Sequence, residues 1–256
     1  MAGYIEKGPI RRHELVGPSI WRMEIELPRT AREAKPGQFI DIRIPDGTRI
    51  LRRPISIAGT DPGRGITEIF YRVVGKGTDI LSHLKAGDVV DSLGPLGRGF
   101  TIPDEGHIVG VGGGVGIAPI LFTARRAKPG QMTVAIGGRN AEEVFWKDFF
   151  PETLRELIVT TDDGSCGVKG FAIAALPAVF EKGPVAEVVT CGPGIMMKKT
   201  AELAEAAGIP CEASLERRMG CGTGGCLACV CDRRDGKGHY KVCLNGPVFN
   251  TKEVVL

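Results

Sequence analysis

Between Arg218 and Cys243 the chain reads RMGCGTGGCLACVCDRRDGKGHYKVC, and no other stretch restricts the fold so tightly. Cys221, Cys226, Cys229 and Cys243 stand in the order Cys-x4-Cys-x2-Cys, then thirteen residues, then Cys. Three thiolates from one tight loop and a fourth from further along match the plant-type arrangement that holds a 2Fe-2S cluster. A loop wrapped that closely needs positive φ angles and inward-pointing amides, which Gly220, Gly222, Gly224 and Gly225 allow. Structural zinc gathers two short Cys-x2-4-Cys knuckles, whereas this run has one such pair and a four-residue gap. Disulfides suit small secreted chains. Cys231, two residues after Cys229, would compete with it for the same metal face and reads as a non-ligand thiol.

At 256 residues, with 43% hydrophobic and 25% charged content, the chain has the composition of a soluble globular protein. Its length leaves room for one large or two medium domains plus a small module. A net charge of +3 is too small to argue for nucleic acid. The first residues, MAGYIEKGPIRRHELVG, hold no apolar run of signal-peptide length, and no window approaches the roughly 18 apolar residues of a membrane span. A cytoplasmic location is expected. In a reducing compartment eight cysteines are metal ligands or inert buried thiols, the scattered Cys166, Cys191 and Cys211 belonging to the second kind.

From Tyr4 to about Gly99 the chain runs in short alternating apolar segments, such as IWRMEIEL and ITEIFYRVV, broken by Gly, Pro and Asp. This predicts an antiparallel β-barrel or sandwich over residues 1–99, with one brief helix at Asp79 to Leu84. Two places in it look chemical: Arg53, Pro54, Ile55 and Ser56 at the start of a strand, and Tyr71, Arg72 and Val73 leading to a turn at Gly77 and Thr78. An arginine before a strand is usually a solvated charge and Gly-x-Gly-Thr usually only a turn. Together, an arginine with a small hydroxyl on one strand and a phosphate-binding turn on a neighbour can hold opposite ends of a flavin dinucleotide.

After Phe100 the texture changes, and residues 100–210 predict an α/β domain with a doubly wound parallel sheet. The buried-strand pattern HIVGVG runs into Gly112, Gly113, Gly114 and Gly116 and then a helix, a geometry that lets a pyrophosphate approach a helix N-terminus. It lacks the Gly-x-Gly-x-x-Gly fingerprint, since reading from Gly110 the sixth residue is Val115, and a plain tight turn is the alternative. Further strands end near Gly138, at Asp162 to Ser165, and at Cys191, Gly192 and Pro193. Ligands of such sheets bind at the carboxyl ends of the strands, so these ends are expected to line one crevice. Residues 211–256 form the small cluster module.

The motifs RRPISI, GKGTDILSHLKAGDVVDSLGPLG, GVGGGVGIAPI, CGPGIMM, SLERRMGCGTGGCLACVC and VCLNGPVF, in that order, span essentially the whole chain. In this it resembles the ferredoxin-reductase flavoprotein superfamily with a C-terminal 2Fe-2S domain, above all the electron-transfer subunits of two-subunit, NAD-dependent dihydroorotate dehydrogenases. The resemblance implies FAD, a 2Fe-2S cluster and NAD as cofactors. Arg53 would pair with the flavin phosphate and Ser56 sit near the reactive ring nitrogen. Ile55 stands where tyrosine is common in the superfamily. Tyr71, Arg72 and Val73 would lie along the flavin, Gly77 and Thr78 at its pyrophosphate, and the Gly112 to Gly116 turn with Cys191, Gly192 and Pro193 beside the nicotinamide nucleotide.

It further implies an electron conduit with no catalytic acid-base pair of its own, acting in pyrimidine biosynthesis with an FMN-containing dihydroorotate dehydrogenase subunit, two copies of each chain. A small subunit of a related NADH-dependent ferredoxin:NADP reductase or sulfide dehydrogenase is the redox alternative. A zinc-stapled nucleotide-binding regulatory module is the alternative from another class. An exposed cluster loop must release electrons outward, so Leu227, Ala228 and Val230, with Val248 and Phe249, are expected at an interface. NAD is expected over NADP by the resemblance, although Arg139 could clamp a 2′-phosphate that Glu142 and Glu143 would repel.

Overall fold

The structure is a computed structural model, and it describes residues 3–256. The first part comprises β1 (Tyr4–Gly17), β2 (Ile20–Glu26), α1 (Pro28–Glu33), β3 (Phe39–Ile42), β4 (Arg53–Asp61), β5 (Ile66–Arg72), α2 (Lys76–Ser82) and β6 (Val89–Leu96). The six strands close into an antiparallel barrel in the order β1-β2-β5-β4-β3-β6. Alternation decides which side chains enter it: Met23 and Ile25 of β2, Ile40 and Ile42 of β3, Ile57 of β4 and Ile69 of β5 are fully buried together. Each such aliphatic side chain contributes about 1.5–3 kcal/mol on burial.

Helix α1 had no signal in the sequence. Pro28 presets its first turn, and the Glu6 carboxylate of β1 accepts the backbone N–H groups of Arg29 and Thr30 at 2.9 and 3.0 Å. The capping group is thus supplied from more than twenty residues away. Helix α2 begins at Lys76, three residues ahead of expectation, because the Thr78 hydroxyl accepts from the Val74 amide and donates to the Gly75 carbonyl, both at 3.0 Å.

The second part contains β7 (His107–Gly113), α3 (Ile117–Arg126), β8 (Met132–Gly138), β9 (Glu156–Thr161), β10 (Val168–Lys169), α4 (Leu176–Glu181), β11 (Val185–Cys191), α5 (Gly194–Ala206) and β12 (Cys211–Ser214). A short hairpin of β13 (Val230–Asp232) and β14 (His239–Lys241), then α6 (Val242–Asn245) and β15 (Val248–Asn250), complete the chain. The sheet order is β10-β9-β8-β7-β11-β12-β15, parallel throughout except for β15, which runs antiparallel to β12.

The polar segment between β8 and β9 is a 3-10 run over Ala141–Phe149. Its Trp146 packs on Phe70 of β5 with ring centroids 4.8 Å apart, and Glu68 of β5 pairs with Arg125 of α3, so barrel and sheet are locked face to face. The C-terminal segment corrects one expectation. Val248 and Phe249 are not surface residues: as β15 they form the edge of the sheet, 0% and 2% exposed, with the Phe249 ring tilted against Tyr240 at 5.5 Å between centroids. Among the described residues no helix is long and apolar enough to cross a membrane.

Candidate functional site

A cavity of about 280 Å³ opens where the barrel faces the sheet. Arg53, Pro54, Ile55 and Ser56 of β4 line it, as do Tyr71, Arg72 and Thr78. The two weak sequence signals therefore meet in one place. A side-chain carbon on Gly77 would stand 2.5 Å from Arg53 Nε and 2.7 Å from Nη2, so the guanidinium lies directly against the α2 turn. Arg53 is held there through its Nη1, which donates to the Leu51 carbonyl at 2.7 Å. A cation beside free amides at the start of α2 is suited to a phosphate. Tyr71 is committed to the barrel wall: its hydroxyl meets His13 Nε2 at 2.8 Å, and burial raises its pKa well above that of a free phenol. Val73 packs on the barrel core, and its neighbour Val74 lines the cavity.

A second cavity, about 460 Å³, lies at the carboxyl ends of the parallel strands. Gly113, Gly114, Arg139, Asp162 and Pro193 line it, which brings together residues from all four strand ends. Gly112, Gly116, Cys191 and Gly192 are not among its lining residues. A side-chain carbon on Gly116 would sit 2.6 Å from the Gly192 nitrogen, so glycine is what lets α3 start against the end of β11. Burial pushes the Cys191 thiol up to about 12, which makes it an inert core group. Arg72 lines both cavities, and its buried Nε finds no partner among the described residues.

Cys229 and Cys243 pack among side chains that also line the first cavity. Cys229 and Cys243 are buried with their sulfurs 3.3 Å apart, and the Cys243 amide donates to Cys229 Sγ at 3.4 Å. Cys221 Sγ accepts from the amides of Thr223 and Cys226, both at 3.4 Å, and these bonds lower its pKa to about 6. Burial, followed by the neighbouring Cys229, pushes Cys243 up to about 12. Among the described residues no three metal-ligating side chains gather as for a single ion. The thiols come as two neighbouring pairs, the division that a dinuclear cluster needs, and the amides aimed at sulfur suit its negative charge. The donor set therefore fits a 2Fe-2S group. Cys231 is buried on β13, opposite Tyr240, and burial raises its pKa.

Residues 7–100 match the oxidoreductase FAD-binding domain, and residues 216–255 match the iron-sulfur cluster binding domain of dihydroorotate dehydrogenase B. The chain is 40% identical over 247 residues to the electron transfer subunit of dihydroorotate dehydrogenase B (NAD(+)) of Desulforamulus reducens, covering 94% of each chain. The Fusobacterium nucleatum protein of the same name is 38% identical, with 98% of each chain covered. The chain belongs to the dihydroorotate dehydrogenase B electron transfer subunit family. It is an oxidoreductase component that carries an FAD-binding and an iron-sulfur binding domain. A solved NADH-dependent reduced ferredoxin-NADP oxidoreductase superposes with a TM-score of 0.86 at 33% identity, covering 97% of this chain and 89% of that one. The ferredoxin reductase of carbazole 1,9a-dioxygenase, 22% identical with a TM-score of 0.70, shares the fold.

Two features of this family member were not foreseen from its sequence. Ser214, Leu215, Glu216, Arg217 and Met219 line the barrel cavity together with Arg53. Asp41 of β3, 1% exposed, lies under the cluster loop, where a side-chain carbon on Gly222 would be 2.8 Å from its Oδ2. Burial pushes its pKa up to about 6 against the pull of Arg52 and Arg53. Neither had a signal, because both depend on contacts between segments far apart in the chain.

Proposed function

We propose that the barrel cavity holds FAD, the strand-end cavity holds NAD, and Cys221, Cys226, Cys229 and Cys243 hold the 2Fe-2S cluster of a cytoplasmic dihydroorotate dehydrogenase B. A bound flavin exchanges two electrons at once with nicotinamide and single electrons with an iron-sulfur centre, which makes the order nicotinamide, FAD, cluster, partner the workable one. One observation carries the reading. Phe39, Leu215 and Met219 line the barrel cavity and also belong to the apolar group that buries Cys229 and Cys243, so one layer of side chains separates the two sites.

The protein's own residues bind and orient. The Arg53 guanidinium and the α2 amides would hold the flavin pyrophosphate, Ser56 would offer a hydroxyl within the same cavity, and Phe39 and Leu215, packed between that cavity and Cys229 and Cys243, would keep water out. Cys226, Leu227 and Ala228 are exposed, with Leu227 at 59% and the neighbouring Leu244 at 53%. They form the face offered to an FMN-containing dihydroorotate dehydrogenase subunit, two copies of each chain making the complex. Co-expression with such a subunit tests this: a stable complex should reduce NAD with dihydroorotate, and the chain alone should reduce dyes with NADH yet ignore dihydroorotate. The 33% identity to the NADH-dependent ferredoxin-NADP oxidoreductase supports a second reading, as the small subunit of such an enzyme. Coupling of NADH to ferredoxin, with none to dihydroorotate, would select it.

A further inference from the structure

The strand-end cavity presents three cations, Arg72, Arg139 and Lys199, and two carboxylates, Glu143 and Asp162. Arg139 follows Gly138 at the tip of β8, the place where a nucleotide-binding sheet reads the 2′ position of the adenosine ribose. Alone, its guanidinium would invite a 2′-phosphate. It is not alone. Glu143, one turn further along, is only 16% exposed, and its Oε1 accepts from Arg139 Nε at 2.7 Å and also from Nη2. Its Oε2 accepts the Arg139 backbone amide at 2.9 Å. Both oxygens are thus spent on one residue, and the Asn140 carboxamide fixes the turn by accepting the Glu143 amide at 3.3 Å.

We propose that Glu143 is the residue that makes the site select NAD over NADP, by occupying the Nε/Nη2 edge of Arg139 that would otherwise clamp a 2′-phosphate. A phosphate brought there would lose the fork-on donor pair and would stand beside two carboxylates, Glu143 and Asp162, each repelling it. A ribose 2′-hydroxyl meets no such penalty, since it can donate to a carboxylate. Selectivity then comes from a repulsive group built into the wall as much as from any attraction. Glu142, next in sequence, is exposed and does not line the cavity, so the two acidic residues are not equivalent.

This inference rests on the strand-end cavity being the nicotinamide nucleotide site, and the test separates the two. The purified FAD- and cluster-loaded protein is titrated calorimetrically with 5′-ADP and with 2′,5′-ADP, and the ratio of the two affinities is compared across Glu143→Gln, Arg139→Ala and the double variant. Glu143→Gln should move the ratio toward 2′,5′-ADP by about tenfold or more, the worth of one charge-assisted contact. The double variant should lose that gain, because it is Arg139 that is released. The ratio of kcat/KM for NADPH to that for NADH should follow the same pattern. An unchanged ratio in Glu143→Gln, or a gain that survives removal of Arg139, overturns the inference and leaves the site reading intact. Failure of the parent protein to bind 5′-ADP, or binding unaffected by Gly114→Val at the cavity wall, sinks the site reading and the inference with it.

Discussion

At the residue scale, Gly77 leaves no room for a side chain beside Arg53 of the cavity proposed for the flavin. Gly77→Ala places a carbon within 2.5 Å of Arg53 Nε, so the guanidinium must move off the α2 turn, where it is proposed to meet the flavin phosphate. Loss of one such charged hydrogen bond costs about 1.5–3 kcal/mol, so FAD affinity should fall about ten- to a hundredfold in a fluorescence titration, and unchanged affinity would remove Arg53 from the phosphate. For the thiols, serine at Cys221, Cys226, Cys229 or Cys243 should each abolish the cluster, whereas Cys231→Ser should keep it. Iron and acid-labile sulfide analysis checks this, and an intact cluster in Cys229→Ser with loss in Cys231→Ser would reverse the ligand set. The cysteine order stood out in the sequence because its spacing is local, whereas Gly77 and Arg53, 24 residues apart, were brought together only by the fold. Leu215, Met219 and Asp41 were not legible either, since nothing in LERRM or FIDI announces which distant wall they face.

At the element scale, β11 and β12 carry a pair of carboxyls into the sheet. Glu212 accepts from Arg98 Nη2 at 2.9 Å and from the Thr101 amide at 2.7 Å, while Glu187, 9% exposed, has a buried oxygen with no partner. Burial, and then the charge on Glu212, push the Glu187 pKa up to about 7 from an ordinary value of 4.5. The folded form therefore binds a proton that the unfolded chain releases between those two values, so stability falls as pH rises through that window. The expected loss is about 1–2 kcal/mol between pH 4.5 and 7.5 once residual solvent contact is allowed for. Urea denaturation across that range should show the slope, and Glu187→Gln should flatten it. The strand-helix alternation of this region was readable from its period and its glycine turns. Strand β15 was not, because VFN reads as tail until β12 offers it an edge. Helix α1 was likewise hidden, its capping acid lying on β1.

At the scale of the whole molecule, the cluster loop leaves the sheet after β12 and returns to it at β15, so both of its ends are tied to neighbouring strands. Truncation after Met219 should then do more than delete a module. It removes the edge strand and uncovers Phe39, Leu96, Ala213 and Leu215, all 3% exposed or less. Such a chain should aggregate or unfold at a markedly lower temperature than a full-length chain with serine at Cys221, Cys226, Cys229 and Cys243, and scanning calorimetry of the two compares them. Equal midpoints would mean that the loop's core contributes nothing to the sheet.

Arg72 stands in the wall of both cavities with its Nε facing no acceptor among the described residues. If the two cavities hold FAD and the dinucleotide as proposed, these anionic guests would share one positive charge, and sharing is a thermodynamic bond between them. Whatever factor a flavin in one chamber imposes on a dinucleotide in the other must be returned in equal measure, since the free energy around a closed cycle of two ligands sums to zero. Removing FAD should therefore alter 5′-ADP affinity by the same factor that 5′-ADP alters FAD affinity, and in Arg72→Ala that common factor should approach one. The flavin would then act as more than a relay for electrons: its presence would set how tightly the protein holds the molecule it exchanges them with.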